Sequence, residues 1–196
     1  MISKDSVYTR LKRILDLLAA IIGLVVLIVP MIIIAIAIKL ASKGPIIFWS
    51  DRVGKFNRLF RMPKFRTMRV DTPHVATHLL VNPNTYRTTI GLFLRKSSLD
   101  ELPQLFSIIV GEMSFVGPRP ALFNQEDLIQ LRTQNGLHAI VPGLTGWAQV
   151  NGRDEISIPE KVEFDLTYKL NQSFLFDMKI LWITFTKVVA KSNISH

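Results

Sequence analysis

A chain of 196 residues is long enough for one catalytic domain and short for two. It has no cysteine, which excludes disulfides, a thiol nucleophile and cysteine metal sites. With 24 Lys and Arg against 15 Asp and Glu the net charge is +9, which asks for an anionic partner: nucleic acid, acidic lipid headgroups or a phosphorylated substrate.

The apolar residues are concentrated near the start. Between Ile14 and Ile38 the only charge is Asp16, and the 22 residues from Leu17 to Ile38 carry none. A helix of that length measures roughly 33 Å, enough to cross a hydrocarbon core of roughly 30 Å. Ala35-Ile36-Ala37 resembles a signal-peptide cleavage site, but the apolar run is longer than such peptides carry and continues past it. Basic residues flank both ends: Lys4, Arg10, Lys12 and Arg13 before, Lys39, Lys43 and Arg52 after. Retention of positive charge on the cytoplasmic side would hold both ends on one face. Pro30 removes a backbone hydrogen bond and bends the helix. Two readings fit: a re-entrant helix broken near Pro30, and a spanning helix with a tolerated proline.

Lys43-Gly44-Pro45 ends this segment, dividing the chain into a membrane helix with its basic flank (1–43) and a catalytic domain (44–196). Ile46-Ile47-Phe48-Trp49 reads as a short strand, with its hairpin partner within 56–65. Residues 70–90 read as an irregular loop. His74 and His78 have a metal-like spacing, but Pro73 and Asn82-Pro83-Asn84 place them in that loop. A helix beginning near Asp100 carries Leu102, Leu105, Phe106, Ile109 and Val110 on one face and ends at Gly111. Gly117-Pro118-Arg119-Pro120 is rigid and non-helical, 124–134 is a polar helix, and Pro142-Gly143-Leu144-Thr145-Gly146 is a turn. Ser157-Ile158-Pro159-Glu160 has the capping-box pattern and opens a helix to about Lys169. The segment 174–189 is apolar on nearly every face, so it packs in the core, lies in the membrane interface, or does both with different faces.

Several groups suit phosphate chemistry. From Lys43 to Arg69 cations dominate, interleaved with Phe48, Trp49, Phe56, Phe60 and Phe65; attraction to acidic lipid accounts for many of them, and Lys64 and Arg66 are candidates for specific contacts. Asp100-Glu101 reads in two ways at once. Ser98 and Glu101 fit a capping box, and Asp100 could itself cap the helix. A carboxylate there can also act as a phosphoryl acceptor, with cations on either side to hold phosphate. Arg119, between two prolines, is a guanidinium on a stiff mount, suited to phosphate or to a plain surface turn. The stretch 142–153 combines a glycine turn, an indole, the amides of Gln149 and Asn151, and Arg153, a plausible pocket for a nucleotide diphosphate.

Taken together, four ordered motifs resemble the bacterial sugar transferases of the monotopic phosphoglycosyl transferase type. They are Lys64-Phe65-Arg66-Thr67-Met68, Ser98-Leu99-Asp100-Glu101-Leu102-Pro103-Gln104-Leu105, Met113-Ser114-Phe115-Val116-Gly117-Pro118-Arg119-Pro120, and Pro142-Gly143-Leu144-Thr145-Gly146-Trp147-Ala148-Gln149-Val150-Asn151-Gly152-Arg153. The resemblance covers almost the whole chain. It implies an α+β fold, mainly helical with a small antiparallel β element, carried by a re-entrant membrane helix broken near Pro30. It implies a UDP-sugar donor and undecaprenyl phosphate acceptor, with Asp100 attacking the sugar-bearing phosphate, releasing UMP and holding a phosphosugar until the lipid phosphate attacks. It assigns Glu101 as partner of Asp100, through Mg²⁺ as cofactor near the two carboxylates or through acid/base help, and Lys64, Arg119, Arg153 and Arg95 as phosphate contacts. It places the chain on the cytoplasmic face of the bacterial inner membrane, leaves no role for nucleic acid, and favours an N-acetylated hexosamine derivative as the sugar. Two departures stand out. Many relatives have Ser before the helix-breaking proline where this chain has Val29, and the extra membrane domain of larger relatives is missing, so the chain reads as the minimal catalytic form. The loop 71–88 is expected to vary within the family.

Overall fold

A computed structural model describes residues 4–72, 83–152 and 156–193. His74, His78, most of the expected loop 71–88, and Arg153 lie outside the described residues.

One long helix, α1 (Lys4–Ala41), forms the floor of the fold. Pro30 lies inside it and the helix continues, so the interruption expected at Pro30 is not found. A proline withdraws one N–H, and the remaining ladder carries the helix past it. One face of α1 joins the core: Ala20, Met31 and Ile38 are buried, with Leu24, Leu27 and Ile34 packed beside them. On the opposite face Ile22, Val25, Val26, Val29 and Ile33 are 61% to 70% exposed, an apolar surface that water would not tolerate. Both ends are tied to the rest of the chain. Tyr8 and Lys12 donate to Asp177 Oδ2 at 2.7 and 2.6 Å, and Arg13 donates to the carbonyls of Ile108 and Ile109. Asp16, the charge inside the apolar run, is buried and accepts from Ser114 Oγ at 2.7 Å. At the far end Arg66 donates to the carbonyls of Ser42 and Lys43 at 2.9 Å each.

The expected hairpin is present and longer than its sequence signal. Strand β1 (Ile47–Val53) pairs antiparallel with β2 (Leu59–Phe65) from Ile47↔Phe65 to Val53↔Leu59, and β4 (Ala121–Leu122) pairs antiparallel with the end of β1. With the order β2-β1-β4, Pro63 sits on an edge strand, where its missing N–H leaves no ladder bond unmade.

Next comes α2 (Gly91–Lys96), then a single 3₁₀ turn over Leu99–Glu101, then α3 (Gln104–Val110), which ends on Gly111 at φ 92° as expected. The capping box at Ser98 is absent. Ser98 is left-handed (φ 58°), its side chain caps nothing, and the α-helix starts at Gln104, not near Asp100. An α-helix opened at Leu99 would drive the Pro103 ring into the carbonyl of Leu99.

The stretch expected to be a turn at 142–146 contains β5 (Gly143–Thr145), which pairs parallel with β3 (Ser114–Val116). A Cβ on Gly143 would collide with the backbone of Gly117, so only glycine permits the approach. The polar helix α4 (Glu126–Gln134) and the short α5 (Trp147–Asn151) follow. Helix α6 (Ile158–Leu170) opens on the expected capping box: Ser157 Oγ accepts from Glu160 N–H, and Ser157 N–H donates to Glu160 Oε2 at 2.8 Å. Helix α7 (Phe174–Asn193) has two faces. Asp177 and Ile180 are buried, so one face packs in the core as expected, while Leu175, Trp182 and Phe185 are among its exposed residues.

Candidate active site

A cavity of about 920 Å³ opens between the hairpin, the 3₁₀ turn and the loop joining β3 to β4. Its wall brings together Lys64 from β2, Arg95 from α2, Asp100 and Glu101 from the turn, Arg119 from the loop and Gln149 from α5. The turn is built locally. Ser97 closes α2 by donating its N–H and Oγ to the carbonyl of Phe93, and the left-handed Ser98 then reverses the chain. A serine in that region carries roughly 1 kcal/mol of strain, and it aims the next two carboxylates at the cavity.

The two acids have different surroundings. Glu101 Oε1 is held by Lys64 Nζ at 2.7 Å and by Arg119 Nη2 at 3.4 Å. Asp100 is 7% exposed. Burial raises its pKa above the ordinary carboxylate value; the Lys64 charge opposes this, the Glu101 charge adds to it, and the Arg95 charge opposes it. Burial in turn lowers the pKa of Lys64, against the pull of Glu101 and Asp100, and lowers that of Arg95. Such a site can hold a polyanion against cations while offering one poorly hydrated carboxylate as nucleophile.

Other predicted site residues are placed elsewhere or differently. Arg66 touches the cavity, but its terminal nitrogens bond the carbonyls at the end of α1, so its work is to fasten the membrane helix to β2. Asn151 is exposed and donates back to the carbonyl of Trp147 at 2.7 Å, away from the cavity. Gln149 donates to the carbonyl of Leu144 at 3.2 Å, and its buried Oε1 has no partner among the described residues, which suits a ligand N–H or O–H.

The cavity also recruits cations that the sequence did not single out: Arg52, Arg87, Arg132 and Lys161. In the sequence Arg52 stands out only as a flanking charge, and Arg87 falls in a stretch that reads as an irregular loop. Arg132 lies on a polar helix face, where a charge ordinarily means solvent. No local pattern marks any of them.

Among the described residues no three His, Asp or Glu side chains gather as a metal cage. Two adjacent carboxylates beside a cation-lined pocket do fit Mg²⁺, which takes one or two carboxylates and completes its shell with water and phosphate oxygens. Asp100 and Glu101 are the residues that would hold it.

The bacterial sugar transferase family model matches residues 7–191. The chain belongs to the bacterial sugar transferase family. Among its relatives, a UDP-glucose:undecaprenyl-phosphate glucose-1-phosphate transferase of Xanthomonas campestris pv. campestris is 40% identical over 98% of this chain and 41% of its own length. EpsL of Bacillus subtilis (strain 168), an uncharacterized sugar transferase, is 41% identical over 95% of this chain and 91% of its own length. A UDP-N-acetylgalactosamine-undecaprenyl-phosphate N-acetylgalactosaminephosphotransferase of Aeromonas hydrophila is 35% identical over 93% of this chain and 44% of its own length. The chain thus spans about two fifths of the longer relatives, and the family region contains α1 from Val7 onward and every described wall of the cavity.

Proposed function

We propose that this chain transfers a sugar 1-phosphate from a UDP-sugar to undecaprenyl phosphate through a covalent aspartyl-phosphosugar on Asp100. The observation that carries the reading is a buried carboxylate at the wall of a cation-lined cavity, beside a second carboxylate already neutralised by Lys64 and Arg119. In the first step a carboxylate oxygen of Asp100 attacks the sugar-bearing phosphorus. The bond from that phosphorus to the bridging oxygen breaks, and UMP leaves with the electron pair. In the second, an oxygen of the lipid phosphate attacks the same phosphorus, the bond to Asp100 breaks and the carboxylate is restored. Lys64, Arg95 and Arg119 compensate the charge of the diphosphate, and the fixed Glu101 keeps Lys64 and Arg119 in place. Arg153 remains a proposed phosphate contact through its motif alone. Mg²⁺ held by Asp100 and Glu101 would neutralise charge on the phosphate oxygens.

Two of the relatives named above are named for UDP-glucose and UDP-N-acetylgalactosamine, which supports a UDP-sugar donor and leaves its sugar to be found by trial. An N-acetylated hexosamine derivative is the first to try.

We further propose that α1 is re-entrant, bending at Pro30 while its helical ladder continues, with both ends on the cytoplasmic face of the inner membrane. Support comes from its packing. Contacts to the body of the fold run from Tyr8 through Ala20 and Met31 to Ile38 and Ser42, on both sides of Pro30. A helix spanning the bilayer would carry one of those ends some 30 Å from a domain confined to one side.

The deciding experiment incubates the full chain in lipid nanodiscs with a UDP-sugar panel, Mg²⁺ and undecaprenyl phosphate, and follows UMP. Lipid-dependent UMP release is expected, lost in Asp100→Asn and on chelation by EDTA. Normal turnover in Asp100→Asn would falsify the covalent mechanism. UMP release indifferent to the lipid would make the chain a hydrolase.

A further inference from the structure

We propose that Asp165 and Arg132 are positioning residues for Arg119, setting where that guanidinium stands against Glu101. Proline has no N–H, so Pro118-Arg119-Pro120 can be fastened only through its three carbonyls and the N–H of Arg119. Each carbonyl is taken by a different element. Pro118 O accepts from the N–H of Gly143 on β5 at 2.9 Å, Arg119 O from Arg132 Nη1 on α4 at 2.8 Å, and Pro120 O from Arg52 Nη1 on β1 at 3.1 Å. Of these, Arg132 grips the residue whose side chain reaches Glu101.

Arg132 is itself oriented. Asp165 Oδ2, on α6, accepts from its Nε at 3.0 Å and its Nη2 at 2.7 Å. A guanidinium is planar and rigid, so fixing one edge against a carboxylate sets the direction of the remaining nitrogen. That nitrogen is the one bonded to Arg119 O. Asp165 is 1% exposed, so its direction is in turn held by the protein and not by water.

The plain alternative is that the pair merely joins α4 to α6. Leu128, Ile129, Val162 and Leu166 already form an apolar joint between those helices. Apolar residues at 132 and 165 would serve that joint as well, because a buried ion pair must overcome its own desolvation. They could not present an oriented donor to a carbonyl two prolines have left short of partners. The proposal rests on the reading that Arg119 works on the substrate phosphates.

The test is a double-mutant cycle on the full chain in nanodiscs: Asp165→Asn, Arg132→Lys, Arg119→Ala, and Arg119→Ala combined with Asp165→Asn. The two single changes at 165 and 132 should lower kcat for UMP release by about ten- to a hundredfold, as a displaced catalytic group does. The combined variant should be no slower than Arg119→Ala alone, because the pair acts only through that side chain. Losses that multiply, or wild-type kinetics in Asp165→Asn, overturn the proposal. Should Asp165→Asn not fold, Arg132→Lys, which keeps the charge but loses the fork, takes its place in the cycle. The same proteins are titrated with UDP by calorimetry. If no UDP-sugar turns over in the wild type, the functional reading fails, while the cycle read on UDP affinity still decides the positioning role. Wild type that binds no UDP overturns both.

Discussion

Replacing the solvent around Asp100 with protein changes the pH at which that carboxylate can act. Burial raises its pKa, so the ionised, attacking form is lost on acidification at a higher pH than for a free aspartate. Lys64 moves the other way, its burial lowering the pKa, so its charge is lost on alkalinisation at a lower pH than for a free lysine. The rate of UMP release should therefore trace a bell narrower than two unperturbed groups would give. Measured kcat/KM against pH for the donor checks this. Glu101→Gln should shift the alkaline limb to still lower pH, because the carboxylate that holds Lys64 charged has gone; an unmoved limb would remove Lys64 from the assignment.

At the level of elements the loop bearing Arg119 is held by the parallel pair β3 and β5, whose spacing depends on Gly143. In Gly143→Ala the added methyl would press on the backbone of Gly117 and Thr145, neither of which can turn aside. We expect about 3 kcal/mol of destabilisation, an overpacking penalty, seen as a lowered melting temperature in nanodiscs, with UMP release falling further than stability alone explains. How far the sequence foretold such elements depended on whether the device was local. Ser157 with Glu160, and Gly111, act within one turn of chain, and both were legible. Ser98 with Glu101 has the same spelling as Ser157 with Glu160. It fails because Glu101 is drawn to Lys64, 37 residues back, and because Pro103 falls deeper in the would-be helix than Pro159 does. The parallel pairing of 114–116 with 143–145 joins segments far apart in sequence, and no local pattern announces it. Lys64, Arg95, Asp100, Glu101 and Arg119 are legible through their motifs; Arg52, Arg87, Arg132 and Lys161, which line the same cavity, and Asp165 and Asp177, whose partners are distant, are not.

For the whole molecule, the disposition of α1 decides its topology. A cysteine introduced at Ser3 should resist a membrane-impermeant maleimide applied from the periplasmic side of intact spheroplasts and react once the membrane is opened. Labelling of intact spheroplasts would make α1 a spanning helix. Helix α7 also carries exposed apolar residues: Trp182 and Phe185 are exposed, while Lys187 Nζ donates to the carbonyl of Val150 at 2.6 Å and Thr184 pairs with Thr145. The helix that carries these exposed apolar residues thus also braces α5 and β5 beneath the cavity.

The buried face of α1 has a consequence for what this domain can become. Ala20 shares a cluster with Phe60, Leu105 and Met113, and Met31 and Ile38 share another with Phe65 and Leu94. A tether can be cut and its cargo set free; a wall cannot. A fragment starting at residue 44 should aggregate when expressed without lipid or detergent, while the full chain extracted in detergent stays monodisperse by size-exclusion chromatography. A well-folded soluble fragment would refute this. Gene fusion or proteolysis could not then convert the domain into a freely diffusing cytosolic enzyme, and any lineage that inherits its chemistry inherits the membrane with it.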